Sequence, residues 1–403
     1  MKTSRESDTT YPTLESIRNF ITLGAILFPF LPNAYRTPYL ILALISLLLN
    51  RPRYFLRKHV LPFYIFLGIA IFVSFFSPMP LKAIYNTKGI LFDIIVPFTF
   101  FTFSPLIKRK LFFNYLPAVA IFFFAITLIV FFLYPPGWHV FNRNHSLVGF
   151  LSGKLTYAGA ISLLAPLLYF KGERKKDITA LIAFSLLLIN LTVNMSRSYF
   201  LGIAGFLLLM IIFERPKIRF LYFGLAVFFA LSIFANEKTL NYLKESIPEE
   251  EHKSSFSRIE MWKTGINIFR AKPLTGIGYE LWTEPEIEQE LLEKYETSEL
   301  RELRKDVKLN KAVSGHLHSN YIMALINGGL PLFLALLFIF IYYLSTFYRA
   351  PVPLKLQGIG LLIIFFTAGL FEYSFSDAEV IQNFALVLGI LTGKAIAGNA
   401  DTD

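Results

Sequence analysis

The chain of 403 residues contains no cysteine, only three tryptophans, six histidines and six methionines, and just 17% charged residues. Without cysteine there are no disulfides, no thiolate metal ligands and no Cys nucleophile. A soluble domain carries roughly a quarter charged residues, so the deficit here argues against an ordinary soluble enzyme. What fills the space is apolar: 55% of residues, including 44 Phe and 20 Tyr, with a mean hydropathy of +0.54. A core that apolar leaves greasy surface in water, so the surplus faces lipid. A spanning helix takes about 20 apolar residues, and the apolar fraction suffices for about eleven or twelve spans.

Apolar runs bounded by charges or by Pro and Gly fall near 17–35, 38–50, 60–76, 89–105, 112–134, 155–170, 178–195, 199–213, 219–235, 330–348, 356–372 and 379–395. The expected fold is therefore all-α and polytopic, with about twelve transmembrane helices. The polar start, Met1 to Ser16, leads into a run broken by Pro29 and Pro32 with no small-residue cleavage site, which reads as a retained first helix. Basic clusters at Lys2 and Arg5, Arg51 to Lys58, Lys108 to Lys110, Lys171 to Lys176, Arg215 to Arg219, Arg349 and Lys355, and Lys394 alternate with segments holding only Arg36, Lys82, Lys88, Arg143, Lys154 and Arg197. The positive-inside rule places both termini in the cytoplasm. The net charge of +11 is spread over these short inner loops. It forms no single stripe, which disposes of nucleic acid as a partner.

One segment breaks the pattern. Residues 236–317 carry 16 acidic and 13 basic residues and lie outside by this topology. The chain divides into 1–235 with nine spans, a loop domain at 236–317, and 318–403 with three spans and a cytoplasmic tail. Within the loop, Phe256, Ile259, Trp262, Ile266 and Phe269 recur at helical spacing, predicting an amphipathic helix from about Glu249 to Arg270, stopped by Pro273. A second helix is expected from Pro285 to about Val307. Between them LTGIGYELW supplies a tight turn at Gly276 and Gly278.

Ionisable residues at the outer ends of spans cost several kcal/mol and need a partner or a task. They are Lys88 and Asp93, Arg143 and His145, Arg197, and Arg258, His316 and His318, with Lys82 nearby. Arg197 sits on a hairpin so tight that it cannot retreat far into water; it suits a phosphate or pyrophosphate, or snorkels to headgroups. Arg258 flanks the amphipathic helix and reaches headgroup level if that helix lies on the membrane, or is a solvated charge. His316 and His318 stand before the tenth span, suited to base chemistry or to helix capping, and without a partner set for zinc. Lys82, Lys88 and Arg143 extend a cationic patch or simply anchor span ends.

Three motifs carry a resemblance: SRSYFLG (Ser196 to Gly202), SRIEMWKTGINIFRAKPLTGIGYELW (Ser257 to Trp282) and HLHSNYIMALINGGLPLFLALL (His316 to Leu337). Together with the nine-plus-three division they resemble the O-antigen ligase and O-antigen polymerase superfamily, bacterial membrane glycosyltransferases of the inner membrane. The resemblance implies a GT-C-like fold and lipopolysaccharide biosynthesis. A glycan would pass from an undecaprenyl-pyrophosphate donor to an acceptor hydroxyl at the periplasmic face, with inversion and without a metal cofactor. In ligases the acceptor is lipid A–core. It further implies His318 as the catalytic base and Arg197 and Arg258 as pyrophosphate ligands, with His316, Lys82, Lys88 and Arg143 as possible site-lining residues. The family motif more often reads HxHN, whereas here Ser319 follows His318 and Asn320 comes next, which leaves open what partners the histidine. Polymerases and glycan-to-protein transferases share these motifs. A twelve-helix transporter is the competing class, disfavoured by the nine-plus-three division.

Overall fold

The structure is a computed structural model that describes residues 12–50, 52–133, 142–143, 146–147, 149–169, 175–194, 196–235, 249–305 and 316–400. The described chain is almost wholly helical, because helices satisfy their own backbone groups where lipid offers no partners. The first helices are α1 (Pro12–Leu27), α2 (Asn33–Asn50), α3 (Leu61–Ser74), α4 (Pro80–Asn86), α5 (Val96–Phe103) and α6 (Arg109–Leu133). They are followed by α7 (Lys154–Ser162), α8 (Lys175–Asn194), α9 (Arg197–Phe213) and α10 (Pro216–Ala235). The loop contributes α11 (Glu249–Ala271), α12 (Pro285–Tyr295) and α13 (Ser298–Arg304), and the chain closes with α14 (Asn320–Tyr348), α15 (Val352–Ala368) and α16 (Ala378–Ala400). A two-residue ladder pairs Asn142–Arg143 with Ser146–Leu147.

Among the described residues every apolar run of the sequence contains helix. Six stretches among the described residues are long and apolar enough to cross a membrane: Pro80–Phe103, Arg109–Leu133, Asp177–Asn194, Pro216–Ile233, Asn320–Tyr348 and Ala378–Ala397. Four more are apolar but shorter, Asn33–Leu49, Leu61–Ser74, Arg197–Phe213 and Val352–Ala368. The run at 155–170 is not one helix. It breaks after α7 into a 3-10 turn, Ala165–Leu168, and both pieces are buried inside the protein, where broken backbone is tolerated. The stretch Pro80–Phe103 contains, just before α5, a π-helical turn, Ile90–Ile95, that carries Asp93.

Helices α9 and α15 pack closely because small residues let their backbones approach. A Cβ on Gly202 would stand 2.9 Å from the Ile364 carbonyl, and one on Gly360 would strike the Phe206 ring. This brings the N-terminus of α9 to the end of α15. Helix α14 is kinked at Gly328 and Gly329, where the backbone leaves helical geometry. The kink frees backbone groups that the PLTGIG turn then takes up. Ile277 N donates to Ile326 O at 2.7 Å, Gly278 N to Asn327 O at 3.2 Å, and Leu330 N to Pro273 O at 2.7 Å. Gly276 and Gly329 both have positive φ, and a Cβ on either would meet the opposing backbone at about 2.5 Å or less. The two Gly motifs are thus one joint.

The loop helices have a core of their own. Trp282, Leu281, Met261, Ile268, Leu300, Leu317 and Ile326 are fully or almost fully buried together, seated on the start of α14. Two expectations change here. The helix expected from Pro285 to Val307 is two helices, split where Thr297 caps α13 through Leu300 N at 3.1 Å; the end of the expected helix, beyond Lys305, lies outside the described residues. The stripe on α11 packs inward only in part: Phe256 and Ile259 are exposed and Trp262, Ile266 and Phe269 half-buried, while Ser257, Glu260, Met261, Thr264, Gly265 and Ile268 are buried. Periodicity found the apolar side, but the protein-facing side is mixed and its polar members are bonded. Glu260 accepts from Thr297 and Lys263.

Candidate functional site

Four segments distant in sequence meet at one carboxylate. Glu372, in the link between α15 and α16, is buried. Arg258 on α11 turns toward it, not out to the lipid surface: Nη2 donates to Glu372 Oε1 at 3.3 Å and Nη1 to Phe371 O at 3.0 Å. Ser198 Oγ, in the first turn of α9, donates to Glu372 Oε1 at 3.3 Å. The other carboxylate oxygen stands 3.6 Å from His318 Nδ1. That distance is too long for a hydrogen bond but close enough for the carboxylate to orient the imidazole.

The two histidines adopt different roles. His318 has a left-handed backbone, φ 48°, a conformation seldom kept without a local reason. Its amide donates to His316 Nδ1 at 3.2 Å, and the two rings lie 4.2 Å apart at 73°. With Nδ1 of His316 accepting, its Nε2 carries the proton. Burial, and after it the neighbouring His318 ring, pushes the His316 imidazole down to about 4. His316 is therefore a neutral donor near pH 7, and a weak base.

The unusual order His-Ser-Asn resolves structurally. Ser319 caps α14, accepting from Ile322 N at 3.4 Å. Asn320 holds the link between α15 and α16 by accepting from Ser374 N at 2.8 Å through its side-chain oxygen. The partner of His318 is Glu372, which sits 54 residues later and has no motif to betray it. Trp262 secures the same corner from α11, its indole N–H donating to Leu317 O at 3.0 Å.

A cavity of about 460 Å³ opens beside this corner, lined by His316, Glu372, Tyr199 and Ser374 at one end and by Asn33, Ser152, Asp377 and Glu379 at the other. His318 stands against His316 and Glu372, not on that lining. Arg197, one residue from Ser198, heads a separate groove of about 560 Å³ between α9 and α10, walled by Phe200, Leu201, Leu208, Phe229 and Ile233. Arg197 is exposed, so its guanidinium and an apolar groove share one opening.

A second strained residue flanks the site. Glu280 in GYELW has φ 57°, and its carboxylate accepts from the Tyr373 hydroxyl, which in turn accepts from Asn327 Nδ2 at 3.2 Å. Burial raises the Glu280 carboxyl to about 7. Neither Glu280 nor Glu372 stands out in the sequence, where one is among many loop acids and the other follows an apolar run.

The remaining sequence candidates lie apart. Lys82 pairs with Glu284 at 3.1 Å, and the Lys88 ammonium sits 3.5 Å over the Tyr85 ring, so neither lines the cavity. Arg143 pairs through its backbone with Ser146 in the short ladder, its side chain lying outside what the structure describes, as does His145. Among the described residues no group of three or more His, Asp or Glu is arranged to hold a metal ion.

No curated protein matches the chain. The family described as O-antigen ligase matches residues 182–337, a stretch that contains Arg197, Arg258, His316 and His318 and stops short of Glu372. The stretch that sets these arginines and histidines at the ends of apolar helices is thus similar to the O-antigen ligase family.

Proposed function

We propose that this protein is an O-antigen ligase: it transfers a polysaccharide from undecaprenyl pyrophosphate to a hydroxyl of lipid A–core, at the periplasmic face of the bacterial inner membrane. His318 takes the proton of the acceptor hydroxyl. The oxygen attacks the anomeric carbon with inversion, the bond from that carbon to the pyrophosphate oxygen breaks, and undecaprenyl pyrophosphate leaves. The leaving group carries its charge away as phosphate oxygens, which need fixed cations. Two guanidiniums that never deprotonate serve this, Arg258 at the acceptor corner and Arg197 at the mouth of an apolar groove suited to an isoprenoid chain, so the reaction needs no metal.

The observation that carries this reading is Glu372 standing between Arg258 and His318, a carboxylate that orients a base beside a phosphate-binding cation. The same base and cations would serve a polymerase or a protein glycosyltransferase, and the acceptor decides between them. Purified protein in liposomes, given the lipid-linked glycan with lipid A–core, with a second lipid-linked repeat unit, or with a pilin-like protein, is expected to glycosylate lipid A–core without added metal. Glycosylation of either other acceptor alone would replace the ligase reading, and consumption of no donor would remove glycosyl transfer altogether.

A further inference from the structure

The end of the cavity away from His316 has no part in the chemistry above, yet it is built with care. Glu379 Oε1 accepts from Asn33 N at 2.8 Å, and Oε2 accepts from Ser152 N and Ser152 Oγ, both at 3.1 Å. Asp377 Oδ2 accepts from Thr156 Oγ1 at 2.5 Å. Behind Asn33, Gln382 Nε2 donates to Asn33 Oδ1 at 3.2 Å and to Asp93 Oδ1 at 2.7 Å. The fully buried Arg36 guanidinium spends its donors on three carbonyls, Leu31, Glu379 and Pro29, and so pins the backbone of the wall. Polar frames of this extent are expensive in an apolar protein and are kept for a task.

The chemistry of the lining names the ligand class. Three carboxylates, the hydroxyls of Ser152, Ser374, Ser376 and Tyr199, and the Asn33 amide face about 460 Å³, and no lysine or arginine is among the lining residues. That volume is in the range of small-molecule sites. Carboxylates and hydroxyls bond sugar hydroxyls, and Asp377 and Glu379, which among the described residues have no arginine paired to their carboxylates as Glu372 has, attract an ammonium and repel phosphate. Both guanidiniums assigned to pyrophosphate lie outside this lining.

We propose that this cavity is the acceptor-sugar subsite, which accepts an uncharged or amino-bearing pyranose and rejects sugars bearing phosphate or carboxylate. The proposal rests on the glycosyl-transfer reading and adds to it an acceptor wall built on Asp377 and Glu379, at the other end of the cavity from Glu372, which Arg258 pairs.

Saturation-transfer NMR on the full chain in nanodiscs tests this without turnover, using methyl glucoside, methyl glucosaminide, methyl glucuronide and glucose 6-phosphate. The first two are expected to give signals at least fivefold above the last two. Ser376→Trp, which fills the cavity, is expected to abolish them, and Leu155→Trp on another wall provides the same test should the first variant fail to fold. Equal signals from the anionic sugars, no signal from any sugar, or signals surviving both tryptophan variants would overturn the subsite. Donor transfer is assayed separately. Sugar selectivity without transfer would sink the glycosyl-transfer reading and leave the subsite, whereas transfer unimpaired in both variants would do the reverse.

Discussion

Arg258 and Glu372, 114 residues apart, form an ion pair at 3.3 Å that ties the loop domain to the link between the last two helices. The arginine is partly exposed and the glutamate buried, so the pair anchors one side while leaving cationic surface open. Because Ser198 and His318 converge on the same carboxylate, removing its charge should disturb cation and base together.

Glu372→Gln is therefore expected to lower transfer about 10- to 100-fold, the equivalent of losing one charge-assisted hydrogen bond. It should also lower the midpoint of thermal unfolding in detergent. Arg258→Ala should raise the donor requirement and lower that midpoint, whereas Arg197→Ala, away from Glu372, should raise the donor requirement alone. Steady-state kinetics with varied donor and varied acceptor, beside a melting curve, separate the three. A pure acceptor defect in both arginine variants would remove their pyrophosphate role.

The histidines should separate by at least an order of magnitude. His318→Ala is expected to cost about 10²- to 10⁴-fold in transfer, the usual contribution of a general base, with the fold intact. His316→Ala, losing a neutral donor and the acceptor for the His318 amide, should cost less. Single-turnover assays on both variants check the order, and undiminished activity in His318→Ala would end its assignment as base.

Stability should respond to pH through two opposed groups. Glu280, raised from 4.5 to about 7, holds its proton more tightly when folded, so its contribution is present below 4.5 and lost as pH rises through 7. His316, lowered from 6.5 to about 4, does the opposite: its contribution is present above 6.5 and lost as pH falls through 4. Each is worth roughly 3–4 kcal/mol by the size of the shift. Between 4.5 and 6.5 they offset each other. Glu280→Gln should give stability that rises over pH 4 to 6.5, and His316→Gln stability that falls over 4.5 to 7. Asp377, raised by burial, acts in the sense of Glu280 and is common to both variants. Thermal unfolding across pH reads the slopes, and equal slopes in the two variants would contradict this account.

Gly276→Ala should loosen the joint between loop and kinked helix. At φ 61° a Cβ costs about 1–2 kcal/mol in strain, and here it would also lie 2.4 Å from the Ile326 carbonyl. Loss of at least 2 kcal/mol is expected. Limited proteolysis between Arg270 and Trp282 should accelerate in the variant.

Much of this was legible in one dimension. Apolar runs located the helices because lipid demands about 20 apolar residues per crossing, and the Arg and His residues at run ends stood out because charge is costly there. Runs cannot show where a helix breaks when both pieces are buried in protein, which is why 155–170 reads as a span and folds as α7 and a 3-10 turn. Periodicity could not say which side of α11 faces protein, because its buried side mixes the bonded Glu260 with Met261 and Ile268.

The sequence by itself determined the solvent, the helical class and the identity of the Arg and His residues, since composition and spacing are properties of the chain. Only the tertiary structure decided that Arg258 turns inward and that His316 is neutral beside His318. It alone made Glu372, Glu280 and the Asp377–Glu379 wall part of the site. Those assignments depend on burial and on contacts between residues far apart in sequence, where a carboxylate acquires its meaning from what packs against it.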